Sequence, residues 1–202
     1  MKKKIFIPKN NTKNQKKLYF ILIGLALLSF IFGCLFIFMI SEGNVSYIKD
    51  NLVNYFNNAD SSLSLFFKSL FNNYIYLLVI WILGISIIGI PIVIFMFLFK
   101  YFIFGFSLSS ILSSFGFNGI LLSLINLMPH KLMYLVVLLL VSFYSISFSI
   151  KIFKNFFLKR PINFRESMNK YFKILLISLV VTLFISLYEG FISNNLVNFF
   201  YK

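Results

Sequence analysis

Residues 74–117 read YIYLLVIWILGISIIGIPIVIFMFLFKYFIFGFSLSSILSSFGF, and Lys100 is the one charged side chain among them. A helix that crosses a lipid bilayer needs about 20 apolar residues, because it rises about 1.5 Å per residue across a hydrocarbon core of about 30 Å. This stretch is therefore long enough for two membrane-spanning helices. The whole chain has the same character, since 60% of its residues are hydrophobic and only 12% are charged. Such a composition excludes a soluble domain of this length.

The same length rule divides the chain into five predicted membrane spans. They cover residues 18–40, 74–99, 101–117, 132–150 and 174–192. The second span is long enough to require tilt or a kink, and we expect a bend near Pro91, with Gly84 and Gly89 close by. The predicted fold class is therefore all-α, a polytopic integral membrane bundle that forms a single membrane domain.

The segment after the third span is apolar but too short to cross a bilayer. Residues 118–128 read NGILLSLINLM, Gly116 and Gly119 can break the helix, and Pro129 ends the segment. We predict a re-entrant or interfacial segment near 118–131. Irregular backbone at membrane depth needs protein or trapped water around it, so we expect this segment to pack against neighbouring helices.

Basic residues are concentrated in two blocks. Residues 1–17 form an arm with seven lysines and no acid, and residues 151–173 contain seven basic residues and one acid. Together with Lys100 these blocks hold fifteen of the nineteen basic residues and fall on one side of the five predicted spans, which the positive-inside rule makes cytoplasmic. The net charge of +14 does not indicate nucleic-acid binding, because the blocks alternate with apolar runs. We expect the arm to adhere to anionic membrane lipids instead.

The predicted external loop, residues 41–73, carries two apolar patterns at helical spacing. The first consists of Ile48, Leu52, Tyr55 and Phe56, and the second of Leu63, Phe66, Phe67 and Leu70. They predict two short amphipathic helices on the outer leaflet. Contact with lipid or with the protein itself is the favoured interpretation, and docking of an extracytoplasmic partner is the alternative.

Residues that could carry out catalysis are scarce. The chain has five acids, one histidine and one cysteine, Cys34, so it can form no intramolecular disulfide and no metal site built on cysteines or several histidines. Glu189 is the one acid inside a predicted span, and we expect it to reach the interface beside Tyr188. Holding a proton and pairing with Lys131 are the alternatives. His130 belongs to no nucleophile motif, and no phosphate-binding motif is present. We therefore expect no enzymatic activity, no cofactor and no metal.

Small residues recur at four-residue steps in two of the predicted spans. Gly105, Ser109 and Ser113 form one stripe, and Ser145 and Ser149 form another. Such stripes allow helices to approach closely. Packing of the third span on the fourth is the favoured interpretation, and a homo-oligomer interface is the alternative.

Residues 72–149 resemble the stage II sporulation protein M family of endospore-forming bacteria. Two phrases carry the resemblance, NNYIYLLVIWILGISIIGIPIVIFMFLFKYFIFGFSLSSIL and FNGILLSLINLMPHKLMYLVVLLLVSFYSISFS, the second with its turn from Leu127 to His130. The order of a basic arm, an isolated span, an external loop and a cluster of spans with a basic interval before the last is also similar.

The resemblance implies a non-catalytic membrane scaffold of the engulfment machinery. In that interpretation the protein lies at the sporulation septum and in the mother-cell engulfing membrane. There it localises and anchors two extracytoplasmic peptidoglycan hydrolases, an amidase/endopeptidase and a lytic transglycosylase. The resemblance transfers no binding residue. The candidates for architecture or interaction are Gly84, Gly89, Pro91, Gly105, Ser109, Ser113, Pro129 and His130.

The alternative function is that of a transporter's membrane subunit, working with a separate cytoplasmic ATPase. The broken segment near 118–131 would suit a permease. A translocation path displays polar groups at membrane depth, and the candidates for such groups are Asn118, Asn126 and Glu189.

Overall fold

The computed structural model describes residues 10–57, 61–124, 128–158 and 163–193. These residues form six α-helices, namely α1 (Asn10–Phe36), α2 (Glu42–Asn57), α3 (Ser62–Leu83), α4 (Gly89–Leu122), α5 (Met128–Leu158) and α6 (Phe164–Leu187). A 3-10 turn, Ile37–Met39, follows α1, and a π-helical turn, Tyr188–Ser193, follows α6. The first nine residues of the predicted basic arm, Asn126 and the carboxyl-terminal tail lie outside the described ranges. The all-α prediction is confirmed.

Five helices in the described part of the chain are long and apolar enough to cross a membrane. Their spans are Gln15–Met39, Ser62–Leu83, Gly89–Phe117, Met128–Phe157 and Phe164–Ile192. The chain is thus a multi-pass membrane protein with the predicted number of spans. We call the end of the bundle that carries α2 the α2 end, and the opposite end, where α1 begins and α3 is joined to α4, the arm end.

The second and third spans were predicted with the wrong bounds. α3 ends at Leu83 and α4 begins at Gly89, so the predicted span 74–99 covers the ends of two different helices. Lys100, which was predicted to lie in a cytoplasmic loop, is instead part of α4. It lies about 16 Å along the helix from Gly89, near the middle of a bilayer core. The turn between the helices is as apolar as the helices themselves, so hydrophobicity alone does not reveal it.

Glycines allow the turn between α3 and α4. Gly84 caps α3, and a Cβ added to Gly89 would lie 1.9 Å from the carbonyl oxygen of Leu83. A side chain does not fit at that distance. Pro91 lies in the first turn of α4, where its missing amide hydrogen is tolerated. The bend predicted near Pro91 is therefore a reversal of the chain that ends just before this residue, rather than a kink inside one helix.

The external loop is shorter than predicted and contains one helix. α2 forms over the first apolar pattern, and its Leu52 packs against Ile111 of α4. The side chains of Tyr55 and Phe56 lie outside the part that the structure describes. The second pattern, predicted as a separate amphipathic helix, forms the first turns of α3. Ser61 caps α3 by accepting a hydrogen bond from the amide of Ser64 at 3.4 Å.

The chain changes direction at Gly116, as predicted for this segment. Gly116 has a φ of 55° and a ψ of −130°, a conformation that favours glycine. The following residues fold back onto α4, because a Cβ added to Gly119 would lie 2.6 Å from the carbonyl oxygen of Ile111. Gly119 and Ser123 are buried against protein, whereas Phe117, Ile120 and Leu124 are exposed.

Backbone contact between α1 and α4 depends on a pair of glycines. A Cβ on Gly33 would lie 2.2 Å from the carbonyl oxygen of Phe102, and a Cβ on Gly105 would lie 2.2 Å from that of Phe30. The predicted partner of the Gly105 stripe was wrong, because Gly105 faces α1 and not the fourth span. The helix adjacent in sequence is not the one that lies closest in space.

The other members of the two small-residue stripes also have different neighbours from those predicted. Ser109 donates a hydrogen bond to the carbonyl oxygen of Phe106 in its own helix at 3.1 Å, and Ser113 is exposed. Ser145 and Ser149 of α5 contact α3, not α4. α5 is the most buried span, and its Leu138 and Val141 form the core with Leu77 and Ile80 of α3.

Candidate functional site

Hydroxyl side chains line the seam where α3, α5 and α6 meet. The buried ones are Ser142, Ser145, Ser149, Ser178, Thr182 and Ser186. Ser145 donates to the carbonyl oxygen of Ile80 at 2.9 Å, and Ser149 donates to that of Gly84 at 2.6 Å. Ser149 thus supplies a partner to the carbonyl of Gly84 at the cap of α3, whereas the carbonyl of Ile80 also accepts from the Gly84 amide at 3.1 Å. The small side chains allow close packing. Toward the α2 end the seam opens into a cavity.

This cavity of about 210 Å³ lies between α3, α4, α5 and the end of α6. Its principal polar groups are Ser69 and Asn73 from α3, Lys100 from α4, His130 and Lys131 from α5, and Glu189 from the turn after α6. α3, α4, α5 and the turn after α6 therefore each supply at least one polar side chain. Few residues of the bundle are charged, and three of them, Lys100, Lys131 and Glu189, line this one cavity.

Glu189 is the centre of a hydrogen-bond network in this cavity. Ser69 donates a short hydrogen bond to its Oε2, and Asn73 donates to Oγ of Ser69 at 3.2 Å. Nε2 of His130 lies 3.5 Å from Oε1 of Glu189. The Glu189 side chain is 28% exposed and that of His130 only 3%. Glu189 is thus partly buried and lies beside His130, and no ion pair joins it to Lys131 within the described ranges, which corrects the alternative pairing with Lys131.

The two lysines of the cavity have a different environment. Nζ of Lys100 lies 4.3 Å from the centre of the Tyr76 ring, a cation–π contact. Neither Lys100 nor Lys131 forms an ion pair within the described ranges. The prediction that polar groups at depth would be limited to Asn118, Asn126 and Glu189 was therefore wrong. The side chains of the two asparagines lie outside the described part.

This arrangement does not form a nucleophile with its base. In a serine hydrolase the histidine lies between the serine and the carboxylate, so that it can take the hydroxyl proton. Here Glu189 lies between Ser69 and His130, and Ser69 donates its hydroxyl hydrogen to the carboxylate. Among the described residues there is also no group of three histidine, cysteine or acidic side chains that could hold a metal ion. Ser69 and His130 are therefore not arranged as the nucleophile and base of a serine hydrolase.

The structure separates the eight candidate residues into distinct places. Gly84, Gly89 and Pro91 belong to the α3–α4 turn, Gly105 contacts α1, Ser109 and Ser113 lie on α4 outside the cavity lining, and Pro129 and His130 begin α5. His130 is the one candidate that lines the cavity. Glu189 and Lys131 were considered as a possible pair, whereas Ser69, Asn73 and Lys100 were missed as site residues.

Two signals in the sequence point to the missed residues. Lys100 is the one charge in the apolar stretch 74–117, and an ionisable residue at membrane depth is a candidate for function. Because the predicted spans place Lys100 in a loop, its position at membrane depth is not recognised from the sequence. Ser69 and Asn73 are four residues apart and therefore lie on the same face of a helix, but this is visible only once residues 62–73 are known to be part of α3.

Comparison of the sequence with models of protein families identifies one family. The family model described as "Stage II sporulation protein M" matches residues 22–194, which include all the helices that line the cavity. The chain belongs to this family. It is therefore a sporulation-related membrane protein. The match extends beyond residues 72–149, which carried the resemblance, to the first and last spans of the chain. No curated protein and no solved structure matches the chain.

Proposed function

We propose that this member of the stage II sporulation protein M family is a non-catalytic membrane scaffold for endospore engulfment. It localises and anchors peptidoglycan-degrading enzymes, an amidase/endopeptidase and a lytic transglycosylase, at the sporulation septum and in the engulfing membrane. The observation that carries the proposal is the family match over residues 22–194. The Ser69–Glu189–His130 geometry is consistent with a role that needs no chemistry of its own.

The distribution of basic residues supports an orientation with the arm end in the cytoplasm. Residues 1–17 and 151–173 hold fourteen of the nineteen basic residues, and they flank the helix ends at the arm end. The correction for Lys100 leaves this asymmetry intact, since Lys100 belongs to a span. The positive-inside rule then directs α2 to the outside, where peptidoglycan lies.

We propose α2 as the contact for an extracytoplasmic partner. Its inner side packs on α4 through Leu52, whereas Tyr47, Asp50 and Asn51 are exposed. Tyr47 is 69% exposed and combines an aromatic ring with a hydroxyl group, a combination common in protein interfaces. The polar neighbours Asp50 and Asn51 favour a protein partner over the acyl chains of lipids.

Deletion of the gene in its sporulating host tests the proposed function. We expect cells induced to sporulate to stop with a flat or bulging septum, because hydrolases without an anchor do not remodel peptidoglycan at the right place. Membrane-dye microscopy measures this, and expression of the intact chain from a second locus is the control that should restore engulfment. Normal engulfment in the deletion strain would argue against the scaffold.

A transporter subunit is the second candidate, and the polar cavity around Lys100 is the observation that favours it. A translocation path requires polar groups at membrane depth, which this cavity has. Genome context separates the two candidates. A neighbouring reading frame for an ATPase would support the transporter, and a sporulation-specific promoter would support the scaffold.

A further inference from the structure

The lining of the cavity has more positive than negative charge. Lys100 and Lys131 contribute two ammonium groups, and Glu189 contributes the one carboxylate of the lining. That carboxylate is already engaged by Ser69 and His130. Buried charge is costly unless an opposite charge lies close by. An anion in the cavity would balance the ammonium groups.

His130 adds a buried atom that needs a partner. The residue is only 4% exposed, it lines the cavity, and its Nδ1 has no hydrogen-bond partner among the described residues. Buried side-chain nitrogens are nearly always hydrogen-bonded in folded proteins. Nδ1 accepts a hydrogen bond from a hydroxyl group when the imidazole is neutral and donates one to an oxygen when it is protonated. A ligand that carries both a phosphate and hydroxyl groups can satisfy either state.

The cavity lining reaches the surface of the bundle at two exposed residues, one on α3 and one on α4. Near the arm end these helices are joined by the hydroxyl of Tyr76, which donates to the carbonyl oxygen of Met96 at 2.5 Å. Closer to the α2 end the lining includes Asn72, which is exposed, and Ile103, which is 37% exposed. A lipid headgroup can therefore enter sideways from the outer half of the bilayer. The volume of about 210 Å³ holds about seven waters, enough for a phosphate with a small alcohol.

We infer that this cavity binds the phosphate group of an anionic molecule, with Lys100 and Lys131 as its cationic ligands. α5 begins beside the cavity, so the positive end of its helix dipole also favours an anion there. Glu189 opposes the anion and limits its affinity. The phosphate comes from an anionic phospholipid headgroup or from free phosphate, and the lateral opening favours the lipid. This inference does not depend on the scaffold proposal.

Titration of the full chain in neutral detergent tests the site, with short-chain phosphatidylglycerol, short-chain phosphatidylcholine and inorganic phosphate as probes in calorimetry. We expect phosphatidylglycerol to bind and phosphatidylcholine to bind at least about tenfold more weakly, because its choline group is cationic. Lys100→Gln and Lys131→Gln should each weaken binding by about tenfold, which is the loss of one charge-assisted contact. Glu189→Gln should tighten it severalfold. Lys173→Gln, an exposed lysine on α6 outside the lining, is the matched control and should change nothing.

Each result decides the inference. Binding of inorganic phosphate with the same variant pattern, without binding of phosphatidylglycerol, would support the site and identify a soluble source. Equal affinity for both lipids, or loss of binding in Lys173→Gln as large as in Lys100→Gln, would overturn it. If Lys100→Gln does not elute as a folded protein in size-exclusion chromatography, Glu189→Gln decides, because a merely structural role for the carboxylate predicts no gain in affinity.

Discussion

Gly33→Leu is expected to separate α1 from α4 and to lower the free energy of unfolding by at least about 3 kcal/mol. A Cβ at this position would lie 2.2 Å from the carbonyl oxygen of Phe102 and 3.0 Å from the amide nitrogen of Phe106. Both atoms belong to the backbone and cannot rotate away, so the whole helix has to move. The hydrogen bond from Ser29 to the carbonyl oxygen of Leu98, 2.7 Å long, would be lost with it. Unfolding in detergent, followed by circular dichroism, measures the change.

The chain contains a matched control for this substitution. Gly24 also lies in α1, but a Cβ there meets nothing within 4 Å, so Gly24→Leu should leave stability nearly unchanged. Gly105→Leu should behave like Gly33→Leu, because a Cβ on Gly105 would lie 2.2 Å from the carbonyl oxygen of Phe30. Equal stabilities of the Gly33→Leu and Gly24→Leu variants would show that α1 and α4 are not in backbone contact.

Gly84→Val is expected to lower the free energy of unfolding by about 2–3 kcal/mol, because the new side chain overlaps atoms of α5 and α6 where these helices pack on α3. A Cβ at Gly84 would lie 2.0 Å from Oγ of Ser145 and 2.2 Å from the hydroxyl oxygen of Tyr171. Ser145 can rotate, but it then loses its hydrogen bond to Ile80. The Tyr171 ring stacks against Trp81 and Phe148, so its hydroxyl has little room to retreat.

A comparison with Ser145→Ala isolates the steric effect at Gly84. Ser145→Ala removes one hydrogen bond and should cost about 1 kcal/mol. Tyr171→Phe alone loses the hydrogen bond that its hydroxyl donates to the carbonyl oxygen of Trp81 at 2.7 Å. It should cost less in the Gly84→Val background, where it also removes the hydroxyl oxygen that the new side chain would meet. Gly84→Val as mild as Ser145→Ala alone, or an equal cost of Tyr171→Phe in both backgrounds, would refute the close approach at this junction.

The fold class was predictable from the sequence. The hydrocarbon core of a bilayer tolerates neither charged side chains nor backbone groups without hydrogen bonds, so long apolar segments cross it as helices. The boundary between α3 and α4 was not predictable, because the sequence is apolar on both sides of it and across it. Asn72 and Asn73 end the predicted external loop, whereas in the structure they lie inside α3 and Asn73 joins the cavity network. The real turn, residues 84–88, is apolar and is marked only by the glycines that flank it.

The candidate site was only partly predictable for the same reason. His130 was recognisable as the sole histidine, but its partners come from four separate helices and depend on how those helices are paired in space. Gly105 was recognised as a packing residue, and yet its partner is α1, which is distant in sequence. Gly116 was correctly predicted to break a helix, because a backbone with positive φ is a local property that a single residue type can signal.

The most direct test of the scaffold is the position of the peptidoglycan hydrolases in sporulating cells that carry a variant of α2. Tyr47→Ala, Asp50→Ala and Asn51→Ala together change the exposed side of α2 and leave Leu52 on its inner side. Arg165→Ala with Asn169→Ala, exposed on α6 toward the arm end, is the matched control. With each variant as the sole copy of the gene, fluorescent fusions of the hydrolases should leave the septum in the α2 variant and remain there in the control. Hydrolases that stay at the septum in the α2 variant, although the variant protein is present in the membrane at normal level, would contradict a scaffold that acts through α2.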